Sequence, residues 1–337
     1  MLHPISDRMS GSYKSLARKT PVRECGIAEE AVSEMVVDVR SRLFRYMRLV
    51  YSNRGQKERA LSVFRTMRDI RTTGDVFTER RRVFDAALAS TVKEARRMRV
   101  QKCTYVFPST EHCPHRVERP SESGKKFDNL REQISEYRRD MFDLEALERC
   151  ALALESYLMS DFDRLSKMHA GSERFLSLGQ LSEPTSHHIL GCGVTTLPER
   201  HHIGSGATHM YVVPDESDSF ESDRLCARMS GGIGVSVLSE DHDVVALFGA
   251  DMMITEVHHN FFVYSSLRDT MDTFGCANRR DLVHKCCVMG TDYNRGLRGV
   301  GPVKARKIDA AKAKELFETC TSAQSISPDV LHKFFRT

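Results

Sequence analysis

Apolar and β-branched residues gather into five short runs, 35–39, 105–107, 210–213, 235–238 and 252–257, with helix-like stretches between them. Runs of this length bounded by turn residues predict strands. Strands alternating with helices predict an α/β fold with a mostly parallel central sheet flanked by helices. In open sheets of that kind, chemistry collects at the carboxyl ends of the strands. The first long helix is expected over 77–98 and a second helical region over 127–168. In the second, Ile134, Tyr137, Met141, Leu144, Leu147 and Ala151 recur at spacings of three and four, tracing one apolar stripe. Such a stripe reads as core or helical hairpin rather than as a binding surface. Arg131, Arg138 and Arg139 lie on its polar side. Residues 108–126 and 182–207 read as loops. The second carries His187, His188, His201 and His202, but no spacing there matches a structural zinc pattern.

The 337 residues suffice for one large domain or two small ones with a sizeable core. No apolar run approaches the roughly 18 residues of a membrane helix. Positions 1–19 are polar and basic, without a hydrophobic signal core, so an intracellular protein is expected. Ten cysteines are scattered with no CxxC pair, and Cys286 and Cys287 are adjacent. They read as reduced thiols. The net charge is only +4, but it is unevenly spread. Between positions 292 and 314, Arg295, Arg298, Lys304, Arg306, Lys307, Lys312 and Lys314 face only Asp292 and Asp309. That concentration suits phosphate, although a charge run by itself is equally a solvated face.

Acidic residues recur just after the expected strands. Asp38 lies in the first, Glu221 and Asp223 follow the third, Asp241 and Asp243 follow the fourth, and Asp292 comes later. One such Asp ordinarily means a surface charge or helix cap. Several at one sheet edge repel each other unless a cation neutralises them. Mg²⁺ suits carboxylate oxygens and substrate phosphate. Two such ions about 4 Å apart can activate water and stabilise a leaving oxygen in phosphodiester hydrolysis.

The most specific string is Met289-Gly290-Thr291-Asp292-Tyr293-Asn294-Arg295-Gly296-Leu297-Arg298-Gly299-Val300-Gly301-Pro302-Val303-Lys304-Ala305-Arg306. Gly299-Val300-Gly301 predicts a tight turn with no side chain over its backbone. Pro302 fits the first position of a following helix, and exposed amides there suit a phosphate. Contacts from Lys304, Arg306 and Lys307 would fix register without reading sequence. The string resembles the helix-two-turn-helix (a helix-hairpin-helix) of the flap endonuclease/XPG family of structure-specific 5′-nucleases. Upstream, Ser239-Glu240-Asp241-His242-Asp243, Phe220-Glu221-Ser222-Asp223 and Val36-Val37-Asp38 resemble that family's acidic blocks, in the same order.

The resemblance implies a PIN-like 5′-nuclease fold, with the nuclease domain over 26–115 and 206–275. It places a helical arch at 116–205, the helix-two-turn-helix at 276–320 and a tail at 321–337. It implies that Asp38, Glu221, Asp223, Asp241, Asp243 and Asp292 ligate two Mg²⁺ or Mn²⁺ ions. It further implies that Gly299, Val300, Gly301, Lys304, Arg306 and Lys307 hold duplex DNA, often with K⁺, and that Arg119 and Lys126 are the arch's basic pair. A DNA repair, replication or recombination enzyme in the nucleus is the corresponding expectation, the host nucleus for a divergent member of viral type. Three positions depart from the family pattern. Pro108-Ser109 stand where it has an Asp, with Glu111 the nearest acid. Arg224 replaces an acid that some members have, and the chain opens Met1-Leu2-His3 rather than Met-Gly. Two alternatives stay open, a host-shutoff type of endoribonuclease acting on RNA and a non-catalytic binding module. Leu331, Phe334 and Phe335 echo a sliding-clamp box, but Pro328 stands where its glutamine belongs, and the end of the core is the preferred reading.

Overall fold

The computed structural model describes residues 12–27, 32–42, 44–45, 97–109, 113–117, 123–139 and 208–336, with positions 90, 91, 93, 94, 111, 143, 145, 146, 149, 152 and 153. The chain forms two compact units. One comprises Met1–Asp38, Ala95–Glu118 and Leu190–Thr337, and the other Val39–Glu94 and Arg119–Ile189. The second unit therefore draws on residues before the sequence-expected arch as well as on the arch.

The first unit is α/β, with the mostly parallel sheet that the run pattern predicts. Its seven strands are β1 (Arg23–Gly26), β2 (Glu34–Asp38), β3 (Lys102–Val106), β4 (Thr208–Val212), β5 (Val235–Leu238), β6 (Met252–Val257) and β7 (Phe261–Ser266). They lie in the order β1-β7-β6-β5-β2-β3-β4. The pairs β4-β3, β3-β2, β2-β5 and β5-β6 are parallel, whereas β6-β7 and β7-β1 are antiparallel. Parallel strands buried on both faces read as continuous apolar runs. This is why five strands were visible in the sequence. The antiparallel edge was missed. β7 reads Phe-Phe-Val-Tyr-Ser-Ser and returns from β6 by a short turn in which His258 N–H donates to Phe261 O at 2.9 Å. β1 is half exposed and carries no apolar pattern to find. Val39, expected within the first strand, is helical instead.

The helices of this unit are α1 (Ser12–Ala17), α3 (Ser222–Met229), α4 (Asp243–Ala246), α5 (Leu267–Phe274), α6 (Arg279–Met289), α7 (Pro302–Lys307), α8 (Ala310–Ser322) and α9 (Pro328–Phe335). In the last, Leu331, Phe334 and Phe335 are all buried, in keeping with the reading of this segment as the end of the core. Phe334 packs edge-on against Tyr293 and Phe248, with centroids 4.9 and 5.5 Å apart. Side chains committed to the core in this way do not present a clamp motif. Lys285 is buried and donates to the carbonyls of Phe274, Gly275 and Arg306. It thereby ties the carboxyl ends of α5 and α7 together, where helix dipoles favour a cation.

In the second unit, α2 (Ser123–Arg139) begins inside the stretch expected to be loop. Ile134 is half-buried and Arg131 and Arg139 are exposed on it. Most of the helix expected over 77–98 lies outside the described residues, as do 154–168 and the His-rich loop. Within 77–98, positions 90, 91, 93, 94 and 97 are helical.

His284 on α6 is buried, stacked on Phe317, with its Nε2 3.3 Å from His332 Nε2. Burial and the facing His332 push its pKa down to about 4. A folded pKa below the unfolded value of about 6.5 means that the unfolded chain binds the proton more readily. This stability contribution is present above about pH 6.5 and is lost as pH falls towards 4, to a limit of about 3 kcal/mol at about 1.4 kcal/mol per unit. Chemical denaturation of wild type and His284→Gln at pH 7.5, 5.5 and 4.5 checks it. The wild type should lose more stability than the variant, and parallel pH slopes would refute the assignment.

Candidate metal centre

β2 lies between β3 and β5, and the register Val37↔Leu238 sets Asp38 beside the residue that follows β5. That residue, Ser239, is buried and donates from Oγ to Asp38 Oδ2 at 2.7 Å. Ser239 Oγ also accepts from Asp241 N–H at 3.0 Å, and Asp241 Oδ1 accepts from Asp243 N–H at 3.2 Å. Short polar side chains closing successive turns over their own backbone are what Ser and Asp do well. Here they deliver Asp243 to the first position of α4, fully buried.

The third group arrives from β4. A 3₁₀ turn at Glu216–Asp218 is followed by Ser219 and Phe220, both left-handed at φ 52° and 57°. Two such non-glycine residues in a row are uncommon and costly, and strain of this kind collects at functional sites. They lead into Glu221, which precedes α3, and Asp223 in its first turn, both buried. Among the described residues, Asp223, Asp241 and Asp243 each offer an oxygen within 4.8 Å of the others.

Burial first, then the charges of Asp241, Asp38, Glu221 and Asp243, holds the Asp223 carboxyl well above the usual range. Burial and Asp241 push Asp243 up to about 8. Asp243 Oδ2 is buried with no hydrogen-bond partner. Clustered carboxylates with an orphaned buried oxygen fit a hard divalent cation, whose oxygen ligands would satisfy both deficits.

Asp292 sits on the loop after α6. Gly290, at φ 98°, ends that helix, and Thr291 Oγ1 accepts from the backbone N–H groups of Tyr293 and Asn294 while donating to Asn294 Oδ1. Asp292 Oδ2 is 3.6 Å from Lys14 Nζ, and its carbonyl accepts from Val117 N–H at 3.0 Å.

Two cations approach that no sequence signal marked. Lys14 Nζ of α1 lies 3.1 Å from Asp243 and 3.4 Å from Asp241. Arg116 grips Glu221 with both arms, at 2.7 and 3.0 Å, and lies over the Tyr293 ring. Burial opposes both charges, but the facing carboxylates outweigh it and raise both pKa values. Pro108 and Ser109 are buried behind β3, where the family pattern has an acid. Glu111 is exposed and gives its backbone N–H to Ser109 Oγ. Arg224 donates to Ser219 Oγ at 2.9 Å and lies over Phe334.

Beyond the centre, Arg295, Arg298, Lys304, Arg306 and Lys307 are exposed and form no ion pair among the described residues. Lys312 and Lys314 are paired along α8 with Glu315 and Glu318, so they weaken as phosphate contacts. Gly299 is left-handed at φ 81°, and a Cβ at Gly299 or Gly301 would meet nothing within 4 Å. The turn is open to solvent while Val300 is buried beneath it. The Val300 side chain thus anchors the turn. Arg119 lies outside the described residues, and Lys126 falls within the bounds of α2.

Fold and site together define an α/β protein with an acidic centre at the carboxyl edge of a mostly parallel sheet. The chain is similar to the solved catalytic core of Rad2 in complex with DNA substrate, at 14% identity over 97% of this chain and 76% of that one, with a TM-score of 0.41. It is similar also to flap endonuclease-1 from Methanococcus jannaschii, at 15% identity over 94% and 82% of the two chains, with a TM-score of 0.42. No family model and no curated protein matches it. Similarity at this level does not extend to function.

Proposed function

We propose that the protein is a divalent-metal-dependent nuclease that hydrolyses phosphodiesters in DNA at junctions of duplex and single strand. The observation that carries this reading is the Asp223, Asp241 and Asp243 cluster with the orphaned Asp243 Oδ2. Asp223, Asp241 and Asp243, with Asp38 beside them, would hold the ion, and Mg²⁺ or Mn²⁺ is the matching chemistry. A bound divalent ion supplies an acidified water and charge stabilisation at the phosphate.

The chain's own residues do the rest. Ser239 fixes one oxygen of Asp38 and the turn that presents Asp241. Asn294 Nδ2 donates to Cys287 O at 2.8 Å and to Arg295 O at 3.2 Å, holding the loop of Asp292 onto α6. The open 299–301 turn and the five unpaired cations would bind backbone phosphates without reading bases. Action in the nucleus, in repair, replication or recombination, belongs to the same proposal.

Binding without cleavage is the second reading, favoured by Pro108 and Ser109 where an acid is expected. One panel separates the two: a 5′-flap DNA, the same strand as RNA, and linear duplex, each with Mg²⁺, Mn²⁺ or EDTA. The nuclease reading expects metal-dependent products from the flap DNA and none in EDTA. Binding to all substrates with no products under any metal establishes the second reading instead. Products from the RNA alone would move the assignment to an endoribonuclease.

A further inference from the structure

We propose that Lys14 is a resident cation of the carboxylate cluster, so that the centre takes one divalent ion rather than two. The inference rests on the metal-dependent reading above and concerns how many ions that site holds.

Lys14 Nζ is within 3.1–3.6 Å of Asp243, Asp241 and Asp292, one oxygen from each. Its position is built, not incidental. The preceding Tyr13 is fully buried and donates its hydroxyl to the same Asp243 Oδ1, and Leu16 and Ala17 of the same helix are buried. A short helix anchored on three buried side chains holds the Lys14 backbone beside the centre. The oxygens of Asp243 are therefore divided. Oδ1 faces Lys14 and Tyr13, while Oδ2 is buried without a partner.

Glu221 is already engaged by the two arms of Arg116. One ion held among Asp223, Asp241 and Asp243 would relieve the crowded charges. A second, on the side of Asp292, would have to share its oxygens with an ammonium of like charge. A side-chain ammonium there supplies permanent positive charge without exchange, and leaves one exchangeable ion.

The test is Mn²⁺ stoichiometry on the purified full chain, by equilibrium dialysis with electron paramagnetic resonance of the bound ion. Wild type should bind one Mn²⁺ at the centre, Lys14→Arg one, and Lys14→Met two, the second with a spin–spin signature of a close pair. Two ions in the wild type overturn the inference whether or not the variants fold. So does a folded Lys14→Met, judged by an unchanged near-ultraviolet dichroism spectrum, that still binds one. Lys14→Gln is the second neutral variant should Lys14→Met not fold. No ion bound by the wild type removes the metal-dependent reading itself, which separates that failure from this one.

Discussion

Asp223→Asn is expected to abolish cleavage and, at the same time, to stabilise the metal-free protein. Loss of a ligand oxygen from a metal centre forfeits several kcal/mol of transition-state stabilisation. At 1.36 kcal/mol per tenfold, that corresponds to a rate reduction of about 10³-fold or more. The stability change has the opposite sign. Burial and four neighbouring carboxylates hold the Asp223 carboxyl well above its ordinary range, so its charged form is disfavoured in the folded state. A neutral isostere removes that penalty at pH 7, so the folded state gains stability. The penalty is present above the unfolded pKa of about 4 and vanishes in acid, where both forms are neutral.

Thermal unfolding with EDTA should therefore show a higher Tm for Asp223→Asn. Added Mg²⁺ should raise the wild-type Tm by mass action and the variant's far less. Asp243→Asn should lose cleavage similarly, but its stability gain is offset by the lost contacts to Lys14 and Tyr13. Flap binding in EDTA should survive in both. A variant that still cleaves at the wild-type rate would remove Asp223 from the centre. A variant less stable than wild type in EDTA would contradict the electrostatic account alone.

The second large effect concerns Gly296 and is structural. A Cβ there would lie 2.4 Å from both C and O of Met289 and 2.6 Å from Gly290 N. These are backbone atoms that cannot rotate away. Leu297 N–H donates to Val288 O at 2.8 Å in the same place, so the loop is stitched onto the end of α6. Gly296→Ala should push that loop off, with a cost of about 3 kcal/mol. Its Tm should fall by roughly 10 °C for a unit of this size. Asp292 travels on the displaced loop, so the surviving folded fraction should also cleave poorly.

Gly301 is the control. It has no left-handed φ, and nothing lies within 4 Å of its would-be Cβ. Gly301→Ala should keep its stability within about 0.5 kcal/mol. Duplex affinity, however, should fall about tenfold if a nucleic-acid backbone approaches the turn there, since one lost close phosphate contact is worth about 1–2 kcal/mol. Unchanged affinity in Gly301→Ala would rule out that approach. A Gly296→Ala protein as stable as wild type would mean the loop is looser than its contacts indicate.

The two glycines show how the site divides between what is local and what is not. The close approach of Gly296 to the end of α6 is set by packing, whereas the turn of Gly301 was legible because Gly-Val-Gly-Pro is a sequence-local signal. The same holds for the five buried strands, whose apolar runs follow from burial on both faces, and for Ser239-Glu240-Asp241-His242-Asp243, whose side chains close turns over adjacent backbone. The acids could be picked out as a set because each follows a strand, and a parallel sheet carries strand ends to one edge.

Other features had no local signature. β1 was missed because an exposed edge strand has no apolar alternation. Leu331, Phe334 and Phe335 are apolar in sequence whether they bind a partner or, as found, fill the core around Tyr293. Lys14 and Arg116 stand in stretches that read as polar segment and loop. Their partners are Asp243, 229 positions away, and Glu221, 105 positions away. Charge pairing depends on distance in space, and nothing in one dimension records it. By itself, the sequence determined the five parallel strands, the acids and the open basic turn. Only the tertiary structure decided which carboxylates share a centre and which cations already stand among them, because that follows from how remote segments are brought within a few ångströms by the packing of α1 and the 113–117 turn around the sheet edge.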